Sequence, residues 1–218
     1  MRVTLLHPTG QYSDTTVRRL QDYLGLITSI GDHARLVFSN EKPMKEVMIF
    51  PKVRKDPITS VSPKNVSTSN SKNRFNILAA VNVKGGSVPP VYSQVIEECT
   101  NAAIYLQFVK KLVENCVLEP GDLFVVDNYT IHFQGDNAGL PDALWSLFKI
   151  RLIALPPYSP EYNQTELVFN TLQQRLTAER ARYKSIDAVD FLDAIKIEMG
   201  RFDLLDVVQF YKHCGYLK

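Results

Sequence analysis

Two short apolar runs in the second half of the chain, each followed by a helical pattern, restrict the fold more than any other feature. Asp122–Val126 (DLFVV) and Ile150–Leu155 (IRLIAL) have the length of buried strands, and each stops at turn-forming residues. A short helix at Pro141–Phe148 lies between them, and a longer helix from Gln164 to Ala178 follows the second run. Strands that are reached through helices usually add in parallel to one sheet.

The first half of the chain carries three consecutive strand signals. They are Arg35–Phe38, Val47–Phe50 and Phe75–Val83, and the turn-like Glu41–Pro43 separates the first two. A helix from Asn101 to Cys116 follows, with apolar residues on one face. Consecutive strands favour antiparallel pairing. We therefore predict an α/β fold: a mixed sheet of three antiparallel strands, extended by two strands added through helices and flanked by helices.

The remaining segments predict helices that pack on the same core. Thr15–Ile27 is weakly helical, and we assign residues 1–34 to an N-terminal helical extension packed on a main domain of residues 35–218. A helix from Ile186 to Met199 ends the pattern, with Ser185 as its N-cap.

Composition argues against a membrane protein and against a disulfide-based fold. The 218 residues carry 25 Lys+Arg and 23 Asp+Glu, a formal net charge of +2, so any sign of a nucleic-acid partner must be local. No run reaches about 18 uncharged apolar residues, and the start has no signal-peptide pattern. The three cysteines form no paired motif, and Cys116 is predicted to be a buried thiol on a helix face. We expect an intracellular protein with no membrane association.

A carboxylate ends the first of the two apolar runs. Asp127 and Asn128 follow the strand directly, and His132 comes five residues after Asp127. Ligand sites of α/β sheets lie at the carboxyl ends of strands, which favours a functional site here. Taken alone, Asp127–Asn128 is also an ordinary turn, and a single histidine is also an ordinary hydrogen-bonded structural residue.

The second apolar run continues into a proline-rich segment, LPPYSPEYNQTE, at residues 155–166. Its prolines stiffen a loop between a strand and a helix, and Glu166 lies in the first turn of that helix. The structural alternative is a capping box, in which the Glu166 carboxylate bonds the backbone amide of Asn163.

Together, the two motifs resemble the catalytic core of mariner-type transposases and their bacterial insertion-sequence relatives, the DDE superfamily of endonucleases on a ribonuclease-H-like fold. The resemblance covers about residues 35–185, and Gln164 stands where the family's proline-rich motif usually has another proline. It implies that residues 35–218 form a ribonuclease-H-like catalytic domain, nuclear in a eukaryotic host and cytoplasmic in a bacterial one.

The resemblance also implies a first catalytic carboxylate at the end of the first strand, where this chain has Asn40. The matching stretch is LVFSNEKP at residues 36–43, and the family commonly shows Asp followed by Glu there. The implied catalytic and metal-ligating residues are Asn40, Asp127 and Glu166. The residues implied to support them are Asn128, His132 and Asn163.

Three convergent carboxylates in this family hold two Mg²⁺ or Mn²⁺ ions, which activate the attacking oxygen and stabilise the leaving oxygen of a phosphodiester. Asparagine offers one neutral oxygen and removes a full negative charge. We therefore expect Asn40 to inactivate or impair cleavage and strand transfer. Glu41 is expected to point to the opposite face of the strand and to be a poor substitute ligand.

Local basic clusters supply the expected contacts to DNA, the implied partner. Residues 52–84 carry a local charge of +6, and residues 173–184 add four bases against one acid. The predicted DNA-binding residues are Lys52, Arg54, Lys55, Lys64, Lys72, Arg74, Arg175, Arg180, Arg182 and Lys184. Solvated loop charge without DNA contact is the alternative, and a homodimer is a further open assignment.

Two main interpretations of function stay open on the sequence, beside a weaker third one, an active nuclease that uses a substitute ligand. The first is a DDE-type transposase or endonuclease domain that Asn40 disables. The second is a domesticated or degenerate DNA-binding or assembly protein that retains the fold. Transposases of this type carry N-terminal helix-turn-helix modules, and the residues before the first strand are expected to be too few for a pair of them.

Overall fold

The structure, a computed structural model, describes residues 13–45, 74–97, 99–127, 137–179 and 191–218. Within these ranges a five-stranded mixed sheet lies between two groups of helices. None of the helices described there is long and apolar enough to cross a membrane.

The strands of the sheet follow the order β3-β2-β1-β4-β5. They are β1 (Leu36–Lys45), β2 (Arg74–Val81), β3 (Val91–Ile96), β4 (Leu123–Val126) and β5 (Arg151–Ala154). β1 pairs antiparallel with β2, and β2 with β3, whereas β1–β4 and β4–β5 are parallel. The predicted α/β fold class, a mixed sheet of three antiparallel strands with two further strands added through helices, is confirmed.

The helices cover both faces of the sheet. They are α1 (Asp14–Ser29), α2 (Ala102–Glu114), α3 (Leu140–Phe148), α4 (Gln164–Ala178), α5 (Phe191–Met199) and α6 (Leu204–His213). α1, α4, α5 and α6 contribute to the hydrophobic core on one face, and α2 and α3 to the core on the other. Residues of β1 alternate between these cores, since Leu36 and Phe38 belong to the first and Val37 to the second.

β1 runs through Glu41–Pro43, so the predicted turn at these residues is wrong. β4 pairs with β1 only from Leu36 to Ser39, and Pro43 is tolerated because β1 there has a described neighbour on one side only.

The predicted strand Val47–Phe50 lies outside the described residues. A third antiparallel strand is β3, which the sequence analysis did not predict: two polar residues, Ser93 and Gln94, interrupt its apolar pattern, and most of its residues are only half-buried.

α2 shows how the sequence sets a helix and its end. The side chain of Asn101 caps it by accepting a hydrogen bond from the Ile104 amide (2.9 Å), while Phe108 and Leu112 are buried. Cys116 follows the helix in the left-handed conformation (φ 57°), and its side chain is exposed. The predicted buried thiol is therefore wrong, because this residue belongs to the helix terminus and not to its apolar face.

The outer helices are partly as predicted. The helix predicted at Thr15–Ile27 is confirmed as α1, whose Tyr23 and Ile27 lie in the same core as α4. The helix predicted at Ile186–Met199 is described from Phe191 onward as α5, and its predicted cap Ser185 lies outside the described residues.

α6 was not predicted from the sequence, yet it closes the core. Asp203 caps it by accepting a hydrogen bond from the Asp206 amide (2.8 Å). The Tyr211 side chain is fully buried, and its hydroxyl lies 2.6 Å from the carbonyl oxygen of Leu36 and 3.0 Å from that of Val81. One hydroxyl therefore contacts the backbone of β1 and β2 together.

Tyr211→Phe should lower the free energy of unfolding by about 1–3 kcal/mol, because a carbonyl oxygen in the dry core loses its donor. Chemical denaturation followed by circular dichroism measures the loss. In the control, Tyr158→Phe removes a hydroxyl from a side chain that is 52% exposed, and the change should stay within about 0.5 kcal/mol. Equal losses for the two variants would contradict the structural role of the Tyr211 hydroxyl.

Candidate functional site

Asn40, Asp127 and Glu166 line one cavity, although they are far apart in the sequence. The register of the parallel strands β1 and β4 pairs Ser39 with Val126, and the pairing ends there. Asn40, in the middle of β1, and Asp127, directly after β4, therefore come next, side by side at the carboxyl end of β4. Glu166 comes from the first turn of α4. The cavity has a volume of about 360 Å³, and the loop after β5 forms its other wall. The geometry brings the three residues together, while their roles in catalysis stay a prediction.

The Asn40 side chain is buried, and both of its polar atoms have partners. Its Nδ2 donates to Glu166 Oε1 (2.9 Å), and its Oδ1 accepts from the Glu41 backbone N–H (2.7 Å). A backbone N–H only donates and a carboxylate only accepts, so a single orientation of the amide satisfies both neighbours. Asn40 therefore presents an N–H group, and not an oxygen, to Glu166.

Lys42 brings a positive charge to the same carboxylate. It lies two residues after Asn40 on β1, hence on the same face of the sheet. Its Nζ is 3.5 Å from Glu166 Oε2 and 3.5 Å from the side-chain oxygen of Asn170. It also lies 5.7 Å from the centre of the Phe169 ring. The sequence interpretation missed Lys42, and its two-residue spacing from Asn40 in a strand is the signal that identifies it.

Asn163 caps α4, but without the reciprocal bond of a capping box. Its Oδ1 accepts from the Thr165 amide (3.1 Å), and its own N–H donates to the carbonyl of Pro160 (3.0 Å). Because the preceding turn already supplies that acceptor, the Glu166 carboxylate is directed to Asn40 instead. The capping-box alternative for Glu166 is therefore wrong.

The loop between β5 and α4 is braced by the C-terminal part of the chain. The Tyr216 hydroxyl donates to the carbonyl oxygen of Tyr162 (2.9 Å), and it accepts a hydrogen bond from the Tyr23 hydroxyl of α1. The carbonyl oxygen of Tyr216 in turn accepts from His33 Nδ1 (2.6 Å). Burial raises the pKa of the Tyr23 and Tyr216 hydroxyls, so both remain protonated donors at neutral pH.

Glu41 lies on the same face of β1 as Val37, which packs in the core to which α2 contributes, because side chains alternate along a strand. Burial raises the pKa of the Tyr105 hydroxyl, and the negative charges of Asp127 and Glu41 raise it further. Since α4, which carries Glu166, packs in the opposite core, Glu41 is poorly placed to supply a carboxylate beside Glu166.

The described side chains of this cavity do not fit a pair of divalent metals. In the part of the chain that the structure describes, no group of three Asp, Glu, His or Cys residues is placed to hold a metal ion. One oxygen of Glu166 accepts from the Asn40 amide, and the other faces Lys42. Mg²⁺ and Mn²⁺ prefer oxygen ligands, whereas position 40 presents a hydrogen-bond donor.

Most of the remaining predicted site residues fall outside the described ranges. Those residues are Asn128, His132, Lys52, Arg54, Lys55, Lys64, Lys72, Arg180, Arg182 and Lys184. Arg74 is the first residue of β2, and only its backbone is described. The supporting and DNA-binding roles of these residues stay predictions.

Arg175 has partners within the fold. Its Nη2 donates to Asp206 Oδ2 at 2.7 Å, and its guanidinium lies 4.3 Å from the centre of the Phe202 ring. Arg175 therefore ties α4 to α6. Its predicted contact with DNA has no support in this geometry and stays a prediction.

Arg175→Ala and Asp206→Ala should each lower the free energy of unfolding by about 1 kcal/mol, because the pair is only partly exposed and the arginine also stacks on Phe202. In the double variant the loss should be smaller than the sum by at least about 0.5 kcal/mol. Urea denaturation of the four proteins completes the cycle. Additive losses would show that the two side chains do not stabilise each other.

A family model described as DDE superfamily endonuclease matches residues 36–190. The matched span begins at the first residue of β1, and it contains all five strands and the whole of α4. No curated protein sequence matches the chain significantly.

Solved structures of Mos1 transposase are similar to this chain in fold. The Mos1 catalytic domain with raltegravir and Mn is 14% identical, with a TM-score of 0.63 over 96% of this chain and 92% of that one. The mariner Mos1 paired-end complex with Mg is 16% identical, with a TM-score of 0.59 over 98% of this chain and 65% of that one. The Mos1 paired-end complex with the left transposon end is 15% identical, with a TM-score of 0.56 over 100% and 68%.

The chain thus spans about two thirds of the length of the transposase chains in those complexes. At these identities the likeness concerns the fold, and the predicted ribonuclease-H-like arrangement is confirmed.

Proposed function

Because the chain belongs to the DDE superfamily of endonucleases, we propose that it is a transposase-type DNA-binding domain in which Asn40 blocks phosphodiester cleavage. The observation that carries the proposal is the hydrogen bond from Asn40 Nδ2 to Glu166 Oε1. Carboxylates of a two-metal site concentrate negative charge, which divalent cations then neutralise. Here an amide and the nearby Lys42 ammonium satisfy Glu166 without such a cation.

Two carboxylates, Asp127 and Glu166, remain at the cavity. A single substitution at position 40 therefore separates this cavity from a three-carboxylate site. In the proposal, DNA lies across the carboxyl end of β4 and the part of β1 beside it, and the basic clusters of residues 52–84 and 173–184 contact its phosphates. We also propose that the protein forms a homodimer, and sedimentation velocity measures its oligomeric state.

Support for DNA as the partner comes from charge and from the relatives. Residues 52–84 carry a net local charge of +6, although the whole chain carries only +2. One of the similar structures is described as a Mos1 complex with a transposon end. Both observations favour DNA over a protein partner as the main ligand.

Asn40→Asp should create a divalent-metal site and make the stability of the protein depend on metal. In EDTA the melting temperature should fall below that of the unchanged protein, because a carboxylate at hydrogen-bond distance from Glu166 repels it. Mn²⁺ should then raise the melting temperature of the variant. At a hundredfold excess of Mn²⁺ over Kd, the free energy of unfolding should rise by about 2.7 kcal/mol. The unchanged protein should show no comparable response. Differential scanning calorimetry with and without Mn²⁺ measures both effects, and equal responses would show that position 40 is not a ligand position.

The same variant tests cleavage. Asn40→Asp should nick duplex DNA in the presence of Mn²⁺, whereas Asn40→Asp combined with Glu166→Ala should be inactive, because each carboxylate contributes charge to the same site. The matched control combines Asn40→Asp with Asn163→Ala, which weakens the cap of α4 by about 0.5–2 kcal/mol and should retain nicking. Loss of nicking in this control would mean that α4 itself has been displaced.

Binding to duplex DNA should be largely independent of sequence and should weaken steeply with salt. Replacing Lys52, Arg54 and Lys55 by Gln should reduce the slope of log affinity against log salt by roughly 2.7, the value for three phosphate contacts. The control pair Lys110→Gln and Lys111→Gln, on α2, should leave the slope unchanged. Fluorescence anisotropy at several salt concentrations gives the slopes, and an unchanged slope in the triple variant would move the DNA surface elsewhere.

A second candidate function is a DNA-binding or assembly protein that keeps the fold but would not cut DNA even with Asp at position 40. The contact between Lys42 and Glu166 favours it, because a carboxylate that is balanced by a lysine needs no metal for stability. If Asn40→Asp folds, binds Mn²⁺ and DNA, and still does not nick, this second function replaces the first.

A further inference from the structure

We propose that Tyr158 is a stacking platform for an unpaired nucleobase of DNA at the mouth of the cavity that Asn40, Asp127 and Glu166 line. The inference rests on the proposed DNA-binding function and adds a ligand group and a contact to it. Three features of Tyr158 carry the inference: its backbone conformation, its position, and the charges around it.

The turn at Tyr158 requires a backbone conformation that a side chain of this size rarely adopts. The φ of Tyr158 is 59°, in the left-handed region that bulky side chains rarely adopt. The other described non-glycine residues with positive φ, Cys116 and Lys149, both end helices, where this conformation is common. Tyr158 instead follows Pro157 in a turn, at a position that glycine or asparagine usually fills. Strain of this kind tends to occur at functional sites.

The strained backbone holds an aromatic ring at the entrance of the cavity. Tyr158 lines the cavity together with Asn40 and Glu166, yet about half of its side chain is exposed. Its neighbours fix the loop around it, since Pro156 and Ser159 are buried and the Ser159 hydroxyl donates to the Pro157 carbonyl. An exposed ring on a rigid loop is suited to flat stacking, because little conformational freedom is lost when a base binds.

The charges at the cavity favour a nucleobase over a phosphate. Among the described residues, Asp127 and Glu166 line the cavity and Glu161 is exposed on the turn that follows Tyr158, while the ammonium of Lys42 contacts Glu166. A backbone phosphate is repelled by this excess of negative charge, whereas a neutral base is not. A base that carries an exocyclic amino group can also donate to a carboxylate, as cytosine does through N4.

The test compares two DNA probes of equal length, a fully paired duplex and the same duplex with one unpaired cytosine. The full chain should bind the probe with the unpaired base about fivefold more tightly or better, the effect of stacking one base on one aromatic ring. Tyr158→Phe retains the ring and should retain this preference. Tyr158→Gly suits the positive φ, removes the ring, and should bind both probes with equal affinity.

Circular dichroism and thermal melting confirm that each variant is folded, and Tyr158→Asn replaces Tyr158→Gly if the glycine variant is not, because asparagine also tolerates this conformation. A preference for the unpaired base that persists without the ring overturns the stacking role of Tyr158 and leaves DNA binding intact. Failure of the unchanged protein to bind either probe overturns the proposed DNA-binding function, and with it this inference.

Discussion

The parallel pairing of β1 with β4 is the constraint on which the cavity depends. Its register sets Ser39 opposite Val126, so Asn40 and Asp127 lie next to each other where the pairing of the two strands ends. A shift of one residue would move Asn40 to the other face, because side chains alternate along a strand. Such a shift is opposed by both cores at once, since Phe38 is buried on one face and Val37 on the other. Core packing on both faces of the sheet therefore sets the position of Asn40 relative to Asp127.

Position 40 shows how one group decides between a stable site and a reactive one. Aspartate and asparagine have almost the same shape, but the amide donates where a carboxylate would repel Glu166. The hydrogen bond turns a costly concentration of charge into a favourable contact. Active sites are commonly less stable than an inactive variant would be, and Asn40 favours stability over activity.

The sequence predicted those features that depend on local pattern. The apolar runs that form β4 and β5, and the helix from Gln164 to Ala178, were visible because periodicity and turn residues bound them. The continuation of β1 past Pro43 was not predicted, because a proline in a sequence indicates a turn. It is compatible with a strand here because the described residues pair with β1 at Pro43 on one side only. The contacts of Lys42 and Arg175 depend on side chains from distant helices, so no local pattern reports them. The catalytic assignment itself came from motif resemblance and stays a prediction.

The brace from Tyr216 to the site loop has a consequence for biosynthesis. All five strands are complete once residue 154 has left the ribosome, but the Tyr162 carbonyl receives its donor only 54 residues after Tyr162 has been made. At about 5–20 residues per second, that interval is roughly 3–11 s. During this interval the nascent chain already contains all five described strands, but the loop beside the cavity still lacks the hydrogen bond from Tyr216. The order of translation thus makes this loop one of the last parts of the domain to be secured.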